Sequence, residues 1–78
     1  MTTGRIKGTQ TFDQTEQGRI FSGMDVYAEY LDEKGRIREL TFHYSYHTND
    51  LRGHVERVLH YMASSKPMPT EYTKVEMS

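Results

Sequence analysis

The sequence predicts an α+β fold: a three-stranded antiparallel meander packed on one helix in the C-terminal half, in the order β-β-β-α. Three observations predict it. Two consecutive segments alternate apolar and polar residues, a weaker segment of the same kind precedes them, and an apolar stripe of helical period follows. The tail adds either a fourth edge strand or a flexible end.

The weaker strand is Arg5 to Phe12, with Ile6, Gly8, Gln10 and Phe12 on one side and Arg5, Lys7, Thr9 and Thr11 on the other. Asp13-Gln14-Thr15-Glu16-Gln17-Gly18 reads as a loose hairpin connection to the second strand, with a mobile tip. From Ile20 to Tyr30 the even positions Ile20, Met24, Val26, Ala28 and Tyr30 oppose Gly23, Asp25, Tyr27 and Glu29. Arg36 to His47 repeats the pattern, with Leu40, Phe42, Tyr44 and Tyr46 against Glu39, Thr41, His43, Ser45 and His47.

The register of these two strands follows from the pleat. Paired residues face the same side, so two even-numbered apolar sets require partners of equal parity. A two-residue Lys34-Gly35 turn breaks that rule. A three-residue loop of Glu33, Lys34 and Gly35 between Asp32 and Arg36 satisfies it, with Gly35 in the left-handed position that closes such loops. Met24 then faces Tyr44, Val26 faces Phe42 and Ala28 faces Leu40. On the other side Asp25 faces His43, Tyr27 faces Thr41, and Glu29 meets Glu39, a like-charge pairing that costs a little unless a partner or an arginine relieves it.

At Leu51 the period changes. Leu51, Val55, Val58, Leu59 and Met62 form one helical stripe, with Thr48, Asn49 and Asp50 as successive N-cap candidates. Ala63 to Pro69 breaks the pattern, so the domain is placed at residues 1–63 and residues 64–78 are the tail, which the expected core does not need.

Composition sets the limits. Leu, Ile, Val and Phe make up fourteen of 78 residues, a lean core, while the net charge of −1 removes the self-repulsion that accompanies disorder. No apolar run reaches the roughly 20 residues of a membrane helix and residues 1–8 lack a signal-peptide core, so a cytoplasmic, membrane-free domain is expected. The absence of cysteine removes disulfide and thiolate chemistry.

The chemistry-bearing residues are sparse. His43 and His47 have the spacing of two ligands on a helix, but along a strand their side chains stand ~13 Å apart, so no metal and no cofactor is expected and the histidines read as surface or edge groups. Asp25 opposite His43 is the one pair suited to tuning an imidazole. No serine has a nucleophile's setting and no glycine-rich segment has a phosphate loop's ending, so no enzyme is expected.

What remains is shape. One helix covers one face of the sheet, leaving the odd-numbered face open. That face is expected to display Phe21, Asp25, Tyr27, Glu29, Leu31, Ile37, Glu39, His43 and His47, a mixture of aromatic, apolar and charged groups like that of a protein interface. The reading is a small non-enzymatic protein-binding module. Its first-ranked specific role is a phage-type or plasmid-type regulator or inhibitor that occludes a host complex such as a defence complex, although no residue identifies that target. A homodimer would also complete a lean core. The alternative is a β-β-β-α nucleic-acid binder using Arg5, Lys7, Arg19, Arg36 and Arg38, against which Asp25, Glu29 and Glu39 on the same face would repel phosphate.

Overall fold

In a computed structural model, which describes residues 2–77, the chain forms β1 (Thr2–Thr15), β2 (Gly18–Leu31), β3 (Ile37–Tyr44), α1 (Leu51–Ser64) and β4 (Tyr72–Met77). The sheet is antiparallel throughout and ordered β1-β2-β3-β4, with the single helix on one side. The fold is therefore α+β as expected, and the tail takes the fourth-strand option.

The pleat sets the core. Met24, Val26, Ala28, Tyr30, Leu40 and Phe42, all even-numbered, are buried against Val55 and Val58 of α1. The β2–β3 register is the one the parity argument requires, from Met24 opposite Tyr44 to Leu31 opposite Ile37. Its loop closes through Asp32 N–H donating to the Arg36 carbonyl and Gly35 N–H donating to the Asp32 carbonyl, both at 3.0 Å, with Gly35 at φ +76°. The Asp32 carboxylate also accepts the N–H groups of Lys34 and Arg36, and these bonds, led by that from Arg36, hold its pKa below the usual carboxylate value. Helix α1 starts at Asp50, whose side chain accepts the N–H of Gly53 at 3.1 Å, and ends at Ser65 in the left-handed conformation.

Four expectations are corrected. First, β1 is longer than Arg5–Phe12, and the polar segment after it is not loose: Thr15 pairs with Gly18 across a tight turn at Glu16-Gln17, where Thr15 Oγ1 donates to the Gly18 carbonyl at 2.7 Å. Thr and Gln side chains sit comfortably on an edge strand whose outward face is water, which is why polarity did not end the strand. Residues 11–23 thus form a two-stranded arm reaching beyond β3. The long axis of 49 Å is about the length of a fourteen-residue strand, ~46 Å.

Second, β2 carries a bulge. Thr11 pairs with Gly23 but Phe12 pairs with Phe21, leaving Ser22 as the extra residue. Gly23 adopts φ +126°, and a Cβ there would collide with the Tyr44 carbonyl oxygen. Beyond this point the parity of β2 reverses. Phe21 therefore does not join the open face; it faces the helix side, its ring 6.1 Å from Phe12 and edge-on to it, with the Arg19 guanidinium 4.4 Å over Phe12.

Third, β3 ends at Tyr44, three residues short, so His47 lies in the loop before α1 and outside the sheet. Fourth, His54 is buried rather than superficial, and the core does need the tail. Tyr72 of β4 is 8 % exposed, stacks on Tyr44 at 5.1 Å, and shares a hydrogen bond between its hydroxyl and His54 Nδ1 at 2.6 Å. Burial and, after it, the Arg57 guanidinium hold the His54 pKa below the ordinary value, which favours the neutral ring.

Truncation separates the two faces. Phe42→Ala empties a site that is 3 % exposed and is expected to destabilise by about 3–5 kcal/mol, whereas Ile37→Ala, at 64 % exposed, should stay within about 0.5 kcal/mol of the parent. Urea unfolding of both variants checks the assignment of faces.

Candidate functional site

The open face is built by alternate residues of all four strands. Lys7 and Thr9 come from β1, Asp25 and Tyr27 from β2, Thr41 and His43 from β3, Lys74 and Glu76 from β4, and together they line a shallow depression of about 370 Å³. Among the described residues nothing roofs it: β1 and β4 lie in the plane of the sheet as its two borders. Of the residues expected here, Asp25, Tyr27, Glu29, Leu31, Ile37, Glu39 and His43 stand in their expected register, and Phe21 and His47 do not.

The charges on this face are mostly matched. Glu29 and Glu39 do lie opposite each other, and each has a partner: Arg5 Nε is 3.3 Å from Glu29, and the Tyr27 hydroxyl donates to Glu39 at 3.2 Å. Partial burial and the two carboxylates push the Tyr27 phenol above its usual pKa, keeping it a neutral donor. Lys74 pairs with Glu76 at 3.0 Å. Leu31 and Ile37 face each other at the hairpin end and give the face an apolar step.

His43 is the most constrained side chain on the face. Its Nδ1 lies 2.9 Å from Asp25 Oδ1 and its Nε2 lies 3.0 Å from the carbonyl oxygen of Ser22, the extra residue of the bulge. Both neighbours are acceptors, so both bonds are made only by the doubly protonated ring. The Asp25 bond accordingly holds the His43 pKa above the ordinary value, against a smaller opposing effect of burial. When doubly protonated, His43 ties the root of the arm to β3 through both ring nitrogens.

Sequence reasoning misses Lys74 and Glu76 because the shift at Thr73 breaks the alternation of β4, and it misses the Ser22 carbonyl because backbone acceptors exposed by a bulge leave no side-chain signal. A second hollow, of about 620 Å³, lies between the last turns of α1 and the β2–β3 loop, lined by Tyr30, Leu59, Met62, Ala63 and Met77 among others. Among the described residues no group of three His, Asp or Glu is placed to hold a metal ion, and no helix is long and apolar enough to cross a membrane. The chain matches no protein-family model, no curated protein and no solved structure.

The histidines bend the stability profile in opposite directions. His43, with its raised value, contributes stability that is complete below its unfolded pKa of about 6.5 and is lost as pH rises through the folded one. His54, with its lowered value, costs stability as pH falls from about 6.5 towards its folded value. Melting temperatures measured from pH 5 to 9 are expected to lose their alkaline decline in His43→Gln and to keep their acid decline. An unchanged alkaline limb in that variant would show that the two bonds do not require a charged ring.

Proposed function

We propose that this protein is a non-enzymatic binding module that occupies a surface of another protein with its helix-free sheet face. The observation that carries the reading is that both chain ends are spent as edge strands, so among the described residues nothing covers the face opposite α1. Its mixture of Tyr27, Leu31 and Ile37 with matched charges supports a protein partner, since non-obligate interfaces are about as apolar as ordinary surface and are distinguished by aromatic anchors and a polar rim. The engagement of both His43 nitrogens within the fold supports a role without catalysis.

The same charges weigh against nucleic acid. Arg5 and Lys74 are each paired with a carboxylate, and Asp13, Asp25, Glu29, Glu39 and Glu76 would face the phosphates. Within the protein-binding reading, a regulator or inhibitor of a larger assembly is the role we favour. Among the described residues the two hollows, of about 370 and 620 Å³, are open to the surface, which suits a 9.2 kDa body that acts by blocking a surface.

Co-purification from the source cell, with and without nuclease, is the direct test. A nuclease-resistant protein partner is expected with the parent chain and is expected to be lost with Tyr27→Ala/Ile37→Ala at unchanged melting temperature. Equal capture by the double variant, or a complex that dissolves on nuclease treatment, would overturn the assignment.

A further inference from the structure

The two borders of the sheet differ in how they are protected. β4 is six residues long and interrupted by the shift at Thr73, between the pairs Tyr44–Tyr72 and His43–Lys74. β1 is fourteen residues long, and from Ile6 to Thr15 it contains no proline and no inserted residue, the extra residue at the bulge lying in β2. A long regular edge presents outward amides and carbonyls to any second strand, and proteins ordinarily blunt such edges with short strands, charged side chains, prolines or bulges, of which residues 6–15 carry only the charges of Lys7 and Asp13.

The residues of this edge are complementary to themselves. A two-fold axis relating two antiparallel edges runs perpendicular to the sheet, so facing residues have the same parity and one residue faces its own copy. With Gln10 on the axis, Lys7 faces Asp13 of the second copy twice over, and Thr9 faces Thr11. On the helix side Phe12, 43 % exposed, comes to lie opposite Gly8, beside Leu51, which already stands over that glycine. Among the described residues neither Lys7 nor Asp13 lies within salt-bridge distance of an opposite charge, Asp13 acting on His43 only at longer range. Moving the axis to Thr9 or Thr11 puts Lys7 opposite a threonine and removes the Lys7–Asp13 match.

We infer that β1 is a self-association edge: two copies pair antiparallel through residues 6–14 about Gln10, giving one eight-stranded sheet with both helices on the same side. This occupant is a second copy of the chain, and the inference does not depend on what binds the open face. The joined sheet makes that face continuous across the dimer.

Because the chain has no cysteine, single-cysteine variants report the register directly. Gln10→Cys is expected to form a disulfide-linked dimer on mild oxidation, since its two copies stand within bridging distance, and Lys7→Cys, about 20 Å from its own copy, is expected to remain unlinked. In sedimentation equilibrium Lys7→Asp should weaken the dimer about tenfold, and Lys7→Asp/Asp13→Lys should restore it. A 9.2 kDa monomer at all concentrations up to about 1 mM would overturn the inference, as would cross-linking at position 7 in place of 10, or a double variant as weak as the single one.

Discussion

The structure depends on a scarcity. With fourteen large aliphatic and phenylalanine residues, the chain can build one buried layer between a sheet and a helix and has nothing left for a second. Because side chains on a strand alternate, committing the even positions of β2 and β3 to that layer commits the odd positions to the opposite surface. Everything on the open face, from the Arg5–Glu29 pair to the depression beside His43, is the other half of the decision that buried Val26, Leu40 and Phe42.

What was legible in the sequence follows the same rule. The β2–β3 hairpin could be read to the residue, including its three-residue loop and the meeting of Glu29 with Glu39, because alternation there is unbroken over eight pairs. Legibility ended where a strand gains a residue. In β4 the shift at Thr73 leaves Tyr72, Val75 and Met77 opposite Tyr44, Phe42 and Leu40, a spacing that is neither strand nor helix and so looked undecided. In β2 the extra Ser22 moved Phe21 to the side opposite the one its number implies. His47 was misplaced for a different reason: its parity was right, but the chain had already left the sheet to reach the α1 cap.

The two constrained histidines show how one residue type serves opposite ends. His54 sits among Tyr44, Tyr72 and Arg57, where burial and a neighbouring guanidinium disfavour a positive charge and the neutral ring shares a hydrogen bond with the Tyr72 hydroxyl. His43 sits between two acceptors, where the neutral ring would leave one lone pair facing another. Neither environment is visible in the residue's immediate sequence; each is created by strands that arrive from elsewhere, β4 for the first and the bulged β2 for the second.

The bulge also divides the molecule into two pleats with separate phase. On the near side of Gly23, β2 is locked to the buried layer, and a one-residue change in length would turn its core outward. On the far side β2 answers only to β1, so residues added to the arm in cross-strand pairs would lengthen its reach while leaving the body's inside and outside untouched. The tip is thus the part of this chain free to change size.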